Sequence, residues 1–154
     1  MPEALSDSLR IIEPSSADEY RRYYELRWKI LRAPWNQPRG SEQDELEKNS
    51  RHFMVLDKKT VAGVGRLHFN SIREAQIRYM AIDLEQQRKG IGTLLLNALE
   101  QCAIDHGAAR IVLDAREHAL RFYHKNGYSA DGPGQVLFNS IPHVQMSKNL
   151  SLMA

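Results

Sequence analysis

The sequence predicts an α/β fold with a central mixed β-sheet of about six to seven strands and helices on both faces. Strand-like and helix-like segments alternate along most of the chain, which is typical of such a sheet. A glycine-rich, basic run of six residues, Gln87–Gly92, lies between a strand-like segment and a strongly periodic helical one. The length of 154 residues suits one compact core.

Composition limits the classes of function. We expect a single domain over residues 1–154, with loose ends near 1–8 and 150–154. Hydrophobic residues make up 42% and charged residues 26%, as in ordinary soluble proteins, and the net charge of +2 is too small to indicate nucleic acid or membrane as a partner. Cys102 lies in an apolar helical stripe, so a buried structural thiol is expected. No stretch resembles a signal peptide or a membrane span, and the cytoplasm is the expected compartment.

The first third of the chain predicts a strand, a helix and a long polar loop. A short apolar strand, Leu9–Glu13, ends at Pro14, and Ser16 with Glu19 forms a capping box that begins a helix. This helix runs to about Leu31 and carries more aromatic residues than one core-facing stripe needs, which places part of it beside a cleft. Residues 33–50 are polar and acidic, and loops of such length are often binding loops or lids.

The remaining elements follow from apolar periodicity and turn signals. A tight turn at residues 58–60 joins two predicted strands, and Gly107 ends the long amphipathic helix. Asn126 and Gly127 read as the C-cap of the last helix. The predicted strands are His52–Asp57, Val61–Asn70, Ala75–Asp83, Arg110–Ala115, Val136–Asn139 and His143–Lys148, and the predicted helices are Ile91–Ala103 and Glu117–Lys125.

The turn Gln87-Arg88-Lys89-Gly90-Ile91-Gly92 predicts a phosphate or pyrophosphate site. Its glycines let the backbone approach a ligand, and the first N–H groups of the following helix lack intrahelical partners and favour an anion. Arg88 and Lys89 add two positive charges at the same place.

Two other phosphate-binding motifs are excluded. A Walker A loop, G-x-x-x-x-G-K-S/T, does not occur in this chain. Gly63 and Gly65 lie inside a predicted strand with no helix after it, unlike a dinucleotide fingerprint. We interpret both glycines as marking a β-bulge or a close approach of the backbone to another element.

Two motifs resemble the GNAT superfamily of N-acetyltransferases. Gln87–Gly92 fits Q/R-x-x-G-x-G/A, the acyl-CoA pyrophosphate loop, and Ala119–Tyr128 resembles the late helix and turn A-x-x-L/F-Y-x-K-x-G-F/Y. Both occur in the family's order with the strand Arg110–Ala115 between them, and a looser resemblance covers nearly the whole chain. By this resemblance, the protein is identified as a GNAT-like acyltransferase on the two motifs and their order.

The resemblance implies acetyl-CoA as co-substrate and no metal. The pyrophosphate is expected at Gln87, Arg88, Lys89, Gly90, Ile91, Gly92 and Thr93, and further cofactor contacts at Phe122 and Lys125. The backbone of Met80, Ala81 and Ile82 is expected to bind pantetheine like an added strand, in a gap where this strand splays from Arg110–Ala115. Met80 and Ile82 read equally as core residues, and both roles are compatible. Five of the six histidines show no metal-ligand spacing with carboxylates or cysteine, namely His52, His68, His106, His118 and His124.

Tyr123 occupies the family's position for the general acid that protonates the departing thiolate. On a short helix, a tyrosine is otherwise a packing residue. His143 follows Pro142 in an Ile-Pro-His ending that resembles a subgroup of small bacterial GNAT proteins, and it is a candidate base or substrate contact; the alternative is a structural histidine. Two residues depart from the family pattern, Arg88 where glycine is common and Arg116 where many relatives carry a cofactor-contacting asparagine.

The favoured function is direct acetyl transfer to a primary amine in a ternary complex. The amine belongs to a small molecule or a protein, and the sequence does not choose between them. The competing hypothesis is a CoA-binding sensor or subunit of the same fold without turnover.

Other features bear on possible partners. This chain lacks the basic stripe that is expected of a nucleic-acid-binding domain. Dimers are common in the family, which leaves a homodimer open. Glu42, Asp44 and Glu45 would either guide a cationic amine or form a solvated loop.

Overall fold

The computed structural model describes residues 8–150, which form a seven-stranded mixed sheet with three α-helices. The strands are β1 Leu9–Ile12, β2 Arg51–Asp57, β3 Thr60–Phe69, β4 Glu74–Ile82, β5 Arg110–Arg116, β6 Ser129–Leu137 and β7 Ile141–Asn149, and the helices are α1 Ala17–Leu31, α2 Ile91–Asp105 and α3 Leu120–Lys125. Short 3-10 helices occupy Ala33–Trp35, Glu47–Asn49, Leu84–Gln86 and Glu117–Ala119. The strand order is β1-β2-β3-β4-β5-β7-β6. Strand β4 pairs in parallel with β5, whereas β5–β7 and β6–β7 are antiparallel. The predicted mixed α/β sheet is confirmed.

The chain divides into two compact units. The first contains residues 8–68 and Tyr79–Leu99, and the second contains Phe69–Arg78 and residues 100–150. Strand β4 and helix α2 therefore each contribute residues to both units.

In the first unit, alternation along β3 places two helices on opposite faces of the strands. Val64 packs in a cluster with Tyr23 and Leu26 of α1. Gly63 and Gly65 point the other way, because a Cβ built on them would lie 2.9 Å from Ile91 Cγ2 and 3.0 Å from Leu99 Cδ1 of α2. The interpretation of these glycines as a close backbone approach is confirmed.

Local signals fixed the ends of several elements correctly. Ser16 and Glu19 form the predicted capping box at the start of α1. Gly107 follows α2 with φ +88, the left-handed conformation that ends a helix. Cys102 is buried, as expected for a structural thiol. The predicted helix Glu117–Lys125 is instead a 3-10 turn followed by α3.

The second unit corrects the prediction for the last hairpin. Strand β6 begins at Ser129, seven residues before the predicted start at Val136, and it breaks register at two places. Its segment Asp131–Gly134 reads as a turn because it holds two glycines and Pro133. Since β6 is the last strand in the sheet order, a proline there removes no second ladder of hydrogen bonds.

Both ends of the described chain are attached to strands or loops. Ser8 accepts a hydrogen bond from the Lys58 N–H and donates one to Asp57, and the Leu150 N–H donates to the Ala109 carbonyl. The rest of the predicted loose ends, residues 1–7 and 151–154, lies outside the described residues. Within residues 8–150, no helix is long and apolar enough to cross a membrane.

Candidate functional site

The connection between β4 and α2 begins with a capped turn. The Asp83 N–H donates to the Ala62 carbonyl at 2.9 Å, which ties the end of β4 to β3. The Asp83 side chain accepts from the Glu85 N–H at 3.0 Å and caps the 3-10 helix Leu84–Gln86. Asp83 is thus a capping residue in the first unit.

Two residues of this connection adopt left-handed backbone conformations. Arg88 has φ +68 and Gly90 has φ +79, and both residues are exposed. Glycine takes this conformation freely, whereas a residue with a Cβ loses about 1–2 kcal/mol. The departure from glycine at Arg88 therefore carries strain, and it leaves the guanidinium in solvent beside the start of α2. The Leu94 N–H makes the first helical bond, to the Gly90 carbonyl at 3.0 Å, so the earlier N–H groups of the helix are available to an anion.

The ammonium of Lys89 lies next to two acceptors of the first unit. Its Nζ atom is 3.0 Å from Gln86 Oε1 and 3.9 Å from Asp57 Oδ2. The ion pair is half exposed on the lysine side, so its attraction is weak. The Lys89 ammonium is therefore already shared between an amide oxygen and a carboxylate.

The end of β4 contains a buried break in its regular conformation. Tyr79 is 7% exposed and has φ +59, a value that an aromatic residue seldom adopts. After it, Ala81 packs in the cluster against α1. The Met80 and Ile82 side chains reach toward Gly65 and Gly63, on the α2 face. Packing of these side chains is confirmed, and binding of pantetheine by their backbone stays a prediction.

A buried ion cluster in the first unit was not predicted. Arg27 of α1 and Arg66 of β3 are both 0% exposed. Arg27 Nη1 lies 3.0 Å from both carboxylate oxygens of Glu47, and Arg66 Nη1 lies 2.6 Å from Asp44 Oδ1 and 2.7 Å from Glu47 Oε2. We call these four residues the arginine cluster. It fixes the acidic loop to the sheet, and its two positive and two negative charges balance.

The cluster changes the interpretation of the acidic segment. Asp44 and Glu47 are engaged by arginines, and Glu42 is buried, with its carboxylate accepting from the Gly40 N–H at 2.8 Å. Only Glu45 of the three predicted guiding carboxylates is exposed. The segment is therefore a structural part of the first unit rather than a solvated loop. Asp44 and Glu47 also line a surface cavity of about 640 Å³, together with Tyr20, Tyr24 and His52.

His52 is held in one tautomer beside the arginine cluster. Its Nε2 lies 2.8 Å from the Glu47 carbonyl, which can only accept, so Nε2 carries the proton. Its Nδ1 lies 2.8 Å from the Tyr23 hydroxyl, which receives a bond from Arg27 Nη2. Burial lowers the pKa of the His52 imidazole, and the histidine is neutral at neutral pH.

In the second unit, Tyr123 lies on α3 with 8% of its surface exposed. Its ring contacts Phe122 and Tyr128, with centroid separations of 5.1 and 5.6 Å. Burial raises the pKa of the Tyr123 phenol well above its ordinary value. The difference in pKa between the Tyr123 phenol and a thiol, whose pKa is about 8.5, is therefore larger than the ordinary values of the two groups give. Phe122 is half-buried and Lys125 is exposed on the same helix.

His143 also belongs to the second unit, where it pairs in register with Arg116 across β5 and β7. It is 7% exposed, and its Nδ1 lies 3.1 Å from the Ile141 carbonyl. Burial lowers the pKa of His143, while hydrogen bonds to the carbonyls of Ile141 and Gln135 partly offset this. A buried neutral imidazole suits a base, and a carbonyl-bonded one suits a structural residue, so the role of His143 stays a prediction.

No group of three metal-ligating side chains comes together within residues 8–150.

Comparison with known proteins places this arrangement in a family. The profile of the acetyltransferase (GNAT) family matches residues 20–128. The chain is 28% identical to the uncharacterized N-acetyltransferase YjcF of Bacillus subtilis (strain 168), covering 92% of this chain and 100% of that protein. It resembles Ard1 of Thermoplasma volcanium with a TM-score of 0.78, at 18% identity over 94% of this chain and 99% of that one. It also resembles an Elizabethkingia anophelis GNAT family acetyltransferase solved with acetyl-CoA bound, with a TM-score of 0.76, at 13% identity over 94% of this chain and 100% of that one.

Proposed function

This chain belongs to the acetyltransferase (GNAT) family, and we propose that it transfers the acetyl group of acetyl-CoA to a primary amine by direct attack in a ternary complex. The observation that carries the proposal is the connection between β4 and α2. It combines left-handed residues at Arg88 and Gly90 with two exposed cations at the start of a 15-residue helix. Backbone donors, a helix N-terminus and positive charge together favour a pyrophosphate.

The residues that we assign to acetyl-CoA fit its chemistry. Its pyrophosphate would bind Gln87, Arg88, Lys89, Gly90, Ile91, Gly92 and Thr93. The backbone of Met80, Ala81 and Ile82 would bind the amides of pantetheine, since the end of a strand offers N–H and C=O groups in extended order. Phe122 and Lys125 would supply one apolar and one cationic contact. The Elizabethkingia anophelis acetyltransferase of the same fold was solved with acetyl-CoA bound, which supports acetyl-CoA as the ligand.

Acetyl transfer requires three events that residues of this chain could serve. The amine must lose a proton, for which His143 is the candidate base, or a substrate contact instead. The carbonyl oxygen that becomes negative needs a donor, for which a backbone N–H in Met80–Ile82 is the candidate. The thiolate of CoA needs a proton or a hydrogen bond, for which Tyr123 is the candidate acid. Because burial raises the pKa of Tyr123, we expect it to stabilise the thiolate mainly by donating a hydrogen bond.

A Tyr123→Phe variant tests the acid role. Loss of the hydroxyl should lower turnover about 10- to 100-fold, which is at or below the lower end of the range of rate enhancements for general acids. The affinity for acetyl-CoA should not change. Tyr128→Phe is the matched control, because it removes a buried hydroxyl from the same unit, one bonded to Glu100 at 2.8 Å. Equal turnover by Tyr123→Phe and the wild type would eliminate Tyr123 as the acid.

The transferase proposal is tested with a panel of small primary amines and lysine-containing peptides. Acetyl-CoA, protein and each amine are mixed, and CoA release and the acetylated product are followed by thiol assay and mass spectrometry. We expect at least one amine to gain a single acetyl group in a protein-dependent reaction. Tight acetyl-CoA binding with no acetylation of any class of amine would favour the competing proposal, a CoA-binding sensor or subunit.

Location in the cytoplasm is a further prediction, and the choice between a monomer and a homodimer stays open. Light scattering on the purified protein decides it, with a mass near 17.7 kDa for a monomer and near twice that for a dimer.

A further inference from the structure

The left-handed conformation of Tyr79 sets the direction of the last residues of β4. A residue with φ +59 departs from the extended backbone of a strand, so it changes the direction of the backbone N–H and C=O groups that follow it. Those groups belong to Met80–Ile82, which we assigned to acetyl-CoA. A non-glycine residue reaches this conformation only when its surroundings hold it there.

Three guanidinium groups lie against the ring of Tyr79. The Cζ atoms of Arg27, Arg66 and Arg32 lie 4.3, 4.9 and 5.6 Å from the centroid of the Tyr79 ring. All three distances are within the range of cation–π attraction, which is stronger where water is excluded. Tyr79 is 7% exposed, and Arg27 and Arg66 are 0% exposed.

The two nearest guanidiniums are themselves fixed. Arg27 is bonded to Glu47, to the Tyr23 hydroxyl at 2.8 Å and to the Glu42 carbonyl at 3.0 Å. Arg66 is bonded to Asp44 through both terminal nitrogens. The arginine cluster is therefore a rigid seat for the ring of Tyr79, built from α1, β3 and the acidic loop.

We propose that Arg27 and Arg66 are positioning residues, which hold the ring of Tyr79 and so keep β4 in the turn that presents Met80–Ile82 to acetyl-CoA. This inference rests on the proposed function, because it concerns the same cofactor segment. It gives the arginine cluster a role in cofactor binding beyond its contribution to stability.

Two substitutions at one position separate this role from a merely structural one. Tyr79→Leu removes the ring but keeps a Cβ, so the left-handed conformation loses its support. Tyr79→Gly also removes the ring, but glycine adopts positive φ without support. The glycine variant loses more side chain and is expected to be the less stable of the two.

Acetyl-CoA is titrated into the wild type and both variants by calorimetry, with thermal unfolding recorded for each. We expect Tyr79→Leu to bind at least about tenfold more weakly than the wild type, as a conformational strain of this size implies. We expect Tyr79→Gly to bind at least about fivefold more tightly than Tyr79→Leu despite its lower unfolding temperature. Wild-type affinity in Tyr79→Leu, or equal weakening in both variants, would overturn the inference.

A second pair of variants covers the case in which Tyr79→Leu does not fold. Arg66→Lys keeps a positive charge beside Asp44 but loses the planar group that contacts the ring. It should weaken binding of acetyl-CoA, and adding Tyr79→Gly should restore part of the loss. Binding by Arg66→Lys equal to the wild type, or no recovery in the double variant, would refute the inference alone. No binding by the wild type would refute the proposed function as well.

Discussion

The arginine cluster predicts a large stability loss for one isosteric change, Glu47→Gln. The Glu47 carboxylate is 10% exposed and accepts from both Arg27 and Arg66. Replacing it with a neutral amide leaves two fully buried guanidiniums with one carboxylate, that of Asp44. Breaking a buried pair in this way costs about 3–5 kcal/mol. Since the amide oxygen of glutamine still accepts some of these hydrogen bonds, we expect a loss of about 3 kcal/mol in the free energy of unfolding.

Urea unfolding followed by circular dichroism measures this loss. A change of about 3 kcal/mol corresponds to a fall of about 6–12 °C in Tm for a chain of this size. Glu45→Gln is the matched control, because Glu45 lies two residues away in the same loop and is exposed. We expect the control to change stability by no more than about 0.5 kcal/mol. A loss below about 1 kcal/mol for Glu47→Gln would refute the view that the cluster is buried and charge-balanced.

Three further predictions follow from single contacts. Asp57→Asn should tighten acetyl-CoA binding about two- to threefold at low salt, because Lys89 loses a competing carboxylate 3.9 Å away, and titration at low and high salt checks this. The pKa of His52 is lowered on folding, so its contribution to stability is complete above the unfolded value of about 6.5 and is lost as the pH falls below it. Urea midpoints between pH 5 and 7.5 should therefore fall with acid less steeply in His52→Gln than in the wild type; identical slopes would contradict this. Tyr128→Phe should cost about 1 kcal/mol in urea unfolding, because its hydroxyl donates to Glu100 at 2.8 Å.

The sequence predicts the parts of the site that depend on neighbours along the chain. The order of strand, basic turn and helix around Gln87–Gly92 follows from periodicity and turn chemistry, and the structure has these elements at the same positions. The departure from glycine at Arg88 is visible in the sequence, whereas its φ of +68 is known only from the structure. Capping at Ser16 is likewise a local signal.

The parts that were missed depend on distant residues. Arg66 occurs in a buried strand, and its partner Asp44 lies 22 residues away, so their pairing requires the tertiary structure. A signal was present all the same, since an arginine inside an apolar strand requires carboxylates, and the run 42–47 supplies four acidic residues. The left-handed conformation of Tyr79 could not be predicted, because aromatic residues rarely adopt it and its support comes from α1 and β3.

The most direct test of the central claim is a calorimetric titration of acetyl-CoA into the wild type, Gly90→Val and Gly107→Val. Both glycines have positive φ, +79 and +88, so both changes impose comparable backbone strain, but only Gly90 lies in the proposed pyrophosphate loop. We predict micromolar binding by the wild type and Gly107→Val, and binding weakened at least about tenfold in a folded Gly90→Val. No binding by the folded wild type, or equal affinity in Gly90→Val and Gly107→Val, would contradict the assignment of this loop to acetyl-CoA.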